Sequence, residues 1–90
     1  MDTTHLREFV VVAELLNYSE AARQLFISPA TLTRHICALE DTLGVQLLER
    51  NSRYVRLTPA GQILRQELDV LLPQLDGLHA RVCRSNILTS

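Results

Sequence analysis

Apolar residues recur at helical spacing in four stretches of the chain, and each stretch predicts a helix. The predicted helices cover residues 4–16, 19–25, 29–43 and 59–90, and Gly44 is the expected C-terminal cap of the third. The apolar positions of the first and third helices are Leu6, Phe9, Val10, Ala13 and Leu16, and Leu32, Ile36, Leu39 and Leu43. Spacings of three and four residues place each set on one helix face, so we expect these faces to form the core.

The second and third helices are predicted to be joined by a tight corner. Ser19 and Ser28 are suited to be N-caps, because a short hydroxyl accepts hydrogen bonds from the unpaired backbone donors of the first helical turn. Pro29 follows as the first helical residue, where its missing N–H costs nothing. The pair Ala21-Ala22 lets the two helices cross closely. This pattern is typical of a helix-turn-helix, which inserts the end of its second helix into the major groove of DNA.

A second face of the third predicted helix is left for a ligand. Ala30, Thr33, Arg34 and Cys37 follow one another at spacings that place them on this face. We therefore predict that the side chains at positions 30, 33 and 34 project together from an exposed edge that can enter duplex DNA. The alternative is that these polar groups are merely solvated.

Residues 45–50 and 54–57 alternate partly between apolar and polar positions, and they flank residues 51–53. This pattern predicts a small β-hairpin, which makes a wing after a three-helix unit. Its cations are Arg50, Arg53 and Arg56. Arg53 lies at the expected tip and is the candidate to enter a minor groove, whose negative potential favours an inserted guanidinium. A solvated turn without a partner is the alternative.

The distribution of charge supports a nucleic-acid partner more than the net charge of −1 does. Residues 1–22 carry one arginine against four acidic residues, residues 23–56 carry five against three, and residues 57–90 carry three of each. The basic excess therefore lies around the predicted DNA-reading elements. All nine side-chain cations are arginines, which suit bidentate contacts to guanine and phosphate.

The last predicted helix begins at Thr58-Pro59, a second cap followed by proline. Its apolar residues, at alternating spacings of four and three, are Leu64, Leu68, Leu71, Leu75, Leu78 and Val82. This spacing predicts a coiled-coil seam that pairs with another chain rather than with its own small domain. Pro73 falls at the outward position of the heptad, so we expect a kinked but continuous helix that Gly77 softens further. The alternative is a helix that stops at Leu72 and restarts.

Several function classes find little support in the composition. Ninety residues suffice for one small domain, and the longest apolar run, residues 9–13, is far below the roughly 20 residues that a bilayer helix needs. The amino end lacks the layout of a secretory signal, and two cysteines fit a reducing compartment, so the cytoplasm is the expected location. A glycine-rich phosphate loop, a pair of catalytic carboxylates and a nucleophile with a base are all absent, and we expect no enzyme and no cofactor.

Metal binding is a further hypothesis. The soft candidate ligands are His5, His35, His79, Cys37 and Cys83. His79 and Cys83 lie four residues apart on one predicted helix face, but two ligands do not close a zinc site unless a partner helix supplies two more. The sequence therefore predicts no metal site.

In sequence motifs the chain resembles the DNA-binding end of the LysR-type transcriptional regulators from residue 6 to about residue 64. The matching motifs are Asn17-Tyr18-Ser19 with Ala21-Ala22, the run from Ser28 to Ile36, Leu39-Glu40, Leu43-Gly44, Leu47-Leu48 with Arg50, and the run from Leu57 to Gly61. The departures from the family pattern are Leu16 in place of the usual Gly, Pro29 and His35 in place of Gln, and Leu48 in place of Phe.

The resemblance implies a winged helix-turn-helix over residues 1–58 and a linker helix over residues 59–90 that forms a homodimer, with tetramers in the full-length protein. It implies double-stranded DNA as the partner. The implied DNA-binding residues are Ser28, Pro29, Ala30, Thr31, Thr33, Arg34, Arg50 and Arg53. Of these, Ser28 and Thr31 would hold phosphates, and Arg53 would lie in the minor groove.

Full-length members of this family carry a C-terminal domain that binds a small-molecule effector. The 90 residues therefore resemble the DNA-binding fragment of a longer regulator, although a naturally short protein is an alternative. A winged helix that binds protein through its leucine seam is the alternative function, because the fold does not fix the function.

Overall fold

The computed structural model describes residues 2–89, and side chains as far as residue 84. Its elements are α1 (Thr3–Leu15), α2 (Tyr18–Leu25), α3 (Pro29–Leu43), β1 (Leu48–Arg50), β2 (Val55–Leu57) and α4 (Pro59–Thr89). The predicted fold class, a mainly helical winged helix-turn-helix followed by a long helix, is confirmed. The helix α3 begins and ends at the predicted residues.

The two helices of the helix-turn-helix begin at different kinds of cap. Ser28 is the N-cap of α3, and its Oγ accepts a hydrogen bond from the backbone N–H of Thr31 at 3.1 Å. The prediction that Ser19 caps α2 is wrong, because Asn17 takes that place and its Oδ1 accepts from the N–H of Glu20 at 3.0 Å. Because the amide oxygen of Asn17 already caps the helix two residues earlier, Ser19 lies within its first turn.

The core lies where the first three helices meet. Its buried side chains are Phe9, Val12 and Ala13 of α1, Ala21 and Ala22 of α2, Leu32, Ile36 and Leu39 of α3, and Leu47, Leu48 and Leu68. The two alanines are fully buried, which agrees with the predicted close crossing of α2 and α3. Leu43, predicted in the core, is exposed at the end of α3 because the chain turns away at Gly44.

The wing is a two-stranded antiparallel hairpin in which Leu48 pairs with Leu57. Each strand has three residues, fewer than the sequence pattern predicted. The Oδ1 of Asn51 closes the turn by accepting from the backbone N–H groups of Arg53 at 2.7 Å and Tyr54 at 3.0 Å. The hairpin is therefore locally braced at its tip.

One carboxylate ties the wing to α3. The Oε2 of Glu40 accepts hydrogen bonds from the backbone N–H groups of Leu47 at 2.7 Å and Leu48 at 3.3 Å. Hydrogen bonds donated to a carboxylate are among the stronger ones in proteins. The orientation of the wing relative to α3 is thus set by the helix itself.

The start of α4 is fastened to the segment before the wing. The hydroxyl of Thr58 accepts from the backbone N–H of Gly61 at 3.0 Å and donates to the carbonyl of Gln46 at 2.6 Å. A Cβ at Gly61 would collide with the carbonyl oxygen of Leu47, so this approach requires glycine. The predicted start of the last helix at Thr58-Pro59 is confirmed.

The helix α4 runs without interruption through Pro73, as predicted. The prediction that it would not lie on its own domain is wrong for its first half. Leu68 is only 3% exposed, and Leu64 and Leu72 are partly buried against the same core. Heptad spacing marks an apolar face, and this part of the face covers the domain that precedes it.

Polar contacts also hold α4 along α1. Arg65 donates from Nη1 to the carbonyl of Ala13 at 3.2 Å, and Arg7 forms an ion pair with Asp76 at 2.8 Å. Four residues of the seam remain exposed along this part of α4: Leu71, Leu75, Leu78 and Val82. Within residues 2–89, no helix is both long and apolar enough to cross a membrane.

Candidate nucleic-acid interface

The amino end of α3 carries a chain of side-chain hydrogen bonds. The Ser28 hydroxyl donates to the Oγ1 of Thr31 at 2.9 Å, and Arg34 donates from Nη2 to the same oxygen at 3.1 Å. The cap therefore does more than begin the helix. Through Thr31 it holds the Arg34 side chain along the first turn of α3. Because this side chain is already restricted, it loses less conformational entropy when it binds a ligand.

The predicted edge of α3 is accessible in the structure. Pro29, Ala30, Arg34 and Cys37 are exposed, and Thr33 is half-buried. Positions 30, 33 and 34 lie on the face of α3 opposite its core side chains, which are Leu32, Ile36 and Leu39. The contacts that these residues make with DNA stay a prediction.

Arg50 of the wing reaches back to both helices of the helix-turn-helix. It donates from Nη1 to the Oγ1 of Thr33 at 3.1 Å, and its Cζ lies 4.8 Å from the centre of the Tyr18 ring. A guanidinium over an aromatic face is attracted to the negative potential of that face. The Arg50 side chain of β1 thus contacts both α2 and α3.

Tyr18 is the interface residue that the sequence did not identify. Burial raises the pKa of Tyr18 to about 12, and the nearby positive charge of Arg50 opposes this shift. The face of the Tyr18 ring packs against the Arg50 guanidinium, so Tyr18 positions a candidate DNA-binding group without itself contacting DNA. Its match to the aromatic position of the Asn17-Tyr18-Ser19 motif was the available signal, but the contact with Arg50 spans 32 residues and leaves no local pattern.

The cations of the wing are not equivalent. Arg53 lies exposed at the tip, as predicted. Arg56 donates from Nε to Glu49 at 3.0 Å and stacks 4.5 Å from the centre of the Tyr54 ring. The hydrogen bond to Glu49 raises the pKa of Arg56. Arg56 therefore differs from the other two cations of the wing, since Glu49 on the paired strand neutralises it.

We call the residues gathered here the α3–wing surface. Its members are Ser28, Pro29, Ala30, Thr31, Thr33, Arg34, Arg50 and Arg53. Within residues 2–84, the three arginines of this surface form no ion pair with an acidic residue. Three guanidinium groups without an acidic partner, on α3 and the wing, make a surface suited to a polyanion.

The last polar pair that the sequence singled out lies far from this surface. The Sγ of Cys83 is 3.9 Å from the Nδ1 of His79 on the exposed part of α4. Both side chains are exposed, and the metal-binding clusters found among the described residues do not include this pair. The hypothesis of a zinc site at these two residues gains no support.

Comparison with known proteins shows which protein family the chain belongs to. Residues 3–62 match the model of the family described as bacterial regulatory helix-turn-helix protein, lysR family. The chain is 45% identical over 78 residues to the HTH-type transcriptional regulator BenM of Acinetobacter baylyi. The matched region covers 87% of this chain and 26% of BenM. The chain thus spans about a quarter of the length of this curated relative, which is named as a regulator and not as an enzyme.

Two solved structures of DNA complexes resemble the chain closely. The complex of the BenM DNA-binding domain with benA site 1 DNA has a TM-score of 0.88 at 41% identity, with 96% of this chain and 97% of that chain covered. The complex of the CbnR DNA-binding domain with DNA has a TM-score of 0.86 at 37% identity, with 97% and 99% covered. Both agreements extend over the long final helix.

Proposed function

Because the chain belongs to the lysR family of bacterial regulatory helix-turn-helix proteins, we propose that it binds double-stranded DNA sequence-specifically as part of a transcriptional regulator. The observation that carries this proposal is the exposed edge of α3, where Ala30, Thr33 and Arg34 project beside the wing. The similarity to structures of DNA-binding domains in complex with DNA supports it. In this function α3 lies in the major groove.

Arg34 is the principal base-reading residue of the proposal. Its guanidinium can contact O6 and N7 of one guanine together, which discriminates against other bases by roughly 1–3 kcal/mol. The hydrogen bond from Arg34 to Thr31 orients the group before binding. Thr33 offers a methyl group to thymine, while Pro29 and Ala30 allow close approach of the helix to the base edges.

The remaining members of the α3–wing surface contact the DNA backbone and the minor groove. Ser28 and Thr31, at the amino end of α3, hold phosphates, where helix geometry favours anions. Arg53 enters the minor groove from the tip of the wing. Arg50, held between Thr33 and the Tyr18 ring, contacts a backbone phosphate next to the bases that α3 reads.

The regulator acts as a homodimer through the exposed half of α4. Leu71, Leu75, Leu78 and Val82 leave an apolar stripe that a single chain does not cover. A second α4 buries this stripe and imposes two-fold symmetry, so the expected operator is an interrupted palindrome. Leu64 and Leu68 contribute less to this interface than the sequence suggested, since their own domain covers them.

In the cell the proposed site of action is the bacterial cytoplasm, on the nucleoid. Tetramer formation and response to a small-molecule effector would belong to a full-length regulator with a C-terminal domain. These properties lie outside the 90 residues and are expectations from the family.

Salt dependence tests whether the surface binds a polyanion. Affinity for a mixed-sequence duplex, measured by fluorescence anisotropy, should fall steeply with salt, with a slope of about −0.9 per phosphate contact. Arg53→Ala should make this slope less steep by about one contact. Arg84→Ala, which removes the same charge on α4 away from the seam, should leave the slope unchanged.

A shallow slope for the unaltered chain would contradict DNA binding. It would favour the second function, a winged helix that binds protein through its leucine stripe.

A further inference from the structure

Two histidines and a glutamate meet where α1 packs against α3, on the side of α3 away from the interface. His5 and Glu8 lie three residues apart on α1, and His35 reaches them from α3. One ligand atom of each, an imidazole nitrogen or a carboxylate oxygen, lies within 4.8 Å of the others. His5 and His35 lie 30 residues apart in the sequence, so no local pattern links them, and the fold brings them together.

The burial of Glu8 is unusual for a carboxylate. The residue is only 5% exposed, and its Oε1 lies 2.7 Å from the Nδ1 of His35. The ring of His5 stacks on the ring of His35, with centroids 4.2 Å apart. A buried carboxyl group beside two imidazole nitrogens offers the oxygen and nitrogen ligands that a divalent transition-metal cation binds.

We propose that His5, Glu8 and His35 bind one Zn²⁺ ion, which fastens the recognition helix α3 to α1. Two imidazoles and one carboxylate are a ligand set that zinc uses in proteins, with water at the remaining position. Bond lengths of about 2.0–2.2 Å to a tetrahedral ion separate neighbouring ligand atoms by roughly 3.3–3.5 Å. Glu8 Oε1 and His35 Nδ1, now 2.7 Å apart, therefore have to move slightly apart to admit the ion. Both histidines are partly exposed, so their rings have room to rotate.

The ion takes the place of the hydrogen atom between Glu8 and His35, and the displaced proton moves to the Nε2 of His35 or to solvent. Binding therefore trades one hydrogen bond between α1 and α3 for three metal bonds across the same contact. Because His35 follows Arg34 directly, the ion fixes the segment of α3 that carries the base-reading side chain. The site is separate from the α3–wing surface, so its failure would leave the proposed DNA contacts untouched.

Calorimetric titration with Zn²⁺ tests the site in the 90-residue chain with Cys37→Ser and Cys83→Ser, which removes the exposed thiols as competing ligands. One ion per chain is expected. His35→Gln should abolish this binding, and it is a mild change because the family commonly has Gln there. The matched control His79→Gln, on the exposed part of α4, should keep full binding.

Two further measurements keep the test independent of how well the variants fold. In the parent protein, which is the chain with Cys37→Ser and Cys83→Ser, Zn²⁺ should shift the imidazole NMR signals of His5 and His35. It should leave those of His79 in place. Excess Zn²⁺ should also raise the Tm by roughly 5–10 °C, and His5→Gln should remove this shift. Absence of binding in the parent, or binding that survives His5→Gln and His35→Gln, would overturn the proposal.

Discussion

At the scale of single residues, two side chains occupy backbone conformations that suit glycine. Leu16 and Phe26 end α1 and α2 in the left-handed region, with φ of 51° and 59°. A residue with a Cβ pays roughly 1–2 kcal/mol for this conformation. Phe26 is 94% exposed, so packing offers no compensation there.

Replacement of Phe26 by glycine should therefore stabilise the domain. We expect Phe26→Gly to raise the free energy of unfolding by about 1 kcal/mol, measured by urea denaturation. Phe26→Ala is the control, since it removes the same ring but keeps the Cβ and should change little. Equal stability of the two variants would contradict this explanation.

Tyr18 provides a prediction about pH. In Tyr54→Phe, where Tyr18 is the only tyrosine, absorbance should report an ionisation midpoint near 12 instead of the ordinary value of 10. A raised pKa means that the folded state holds the proton more tightly than the unfolded state. This contribution to stability is complete below pH 10 and is lost as the pH rises towards 12. A midpoint near 10 would show that the ring is not buried beneath Arg50.

Local chemistry explains which residues the sequence could identify. The cap Ser28 was predicted because its acceptor and its donor lie three residues apart. Asn17 has the same spacing to Glu20, but Ser19, another residue suited to an N-cap, follows two positions later and was predicted in its place. The ion pair of Arg56 with Glu49 depends on strand register, which the sequence pattern did not specify.

At the scale of elements, α3 was predicted with correct bounds because a serine cap and a glycine cap delimit it. The strands were predicted too long, since pairing with a distant partner determines their ends. Only three residues of each strand find a partner in the hairpin.

The joint between the wing and α4 gives a prediction for a matched pair of glycines. Gly61→Ala should destabilise the domain by roughly 1–3 kcal/mol, because the new methyl group meets the backbone carbonyl of Leu47. Gly77→Ala, further along the same helix, meets only the terminal Nη1 of the long Arg81 side chain and should stabilise the domain by about 1 kcal/mol. Thermal unfolding of both variants decides this, and a stabilising Gly61→Ala would contradict the described contact.

At the scale of the whole molecule, α4 has two roles that the sequence could not separate. Heptad spacing is continuous from Leu64 to Val82, yet the first part of the seam covers the core of the same chain. Periodicity shows which residues share a face but not which surface covers them. The molecule extends 56 Å along its longest axis, so the second half of α4 projects beyond the compact domain.

The exposed half of the seam should control the oligomeric state. In sedimentation velocity the chain is expected to be a dimer, and Leu75→Asp should make it a monomer because a charge would be buried between the helices. Val70→Asp places the same charge on α4 outside the seam and should remain a dimer. A monomeric unaltered chain at micromolar concentration would refute the proposed interface.

The central claim is that the exposed edge of α3 reads DNA sequence. The direct measurement is selection of bound oligonucleotides from a random pool, carried out in parallel with the unaltered chain and with Arg34→Ala. We expect the unaltered chain to enrich an interrupted two-fold repeat, and Arg34→Ala to lose the preference for guanine at one position of each half-site. Enrichment of the same sequence by both proteins, or of none by the unaltered chain, would contradict the claim.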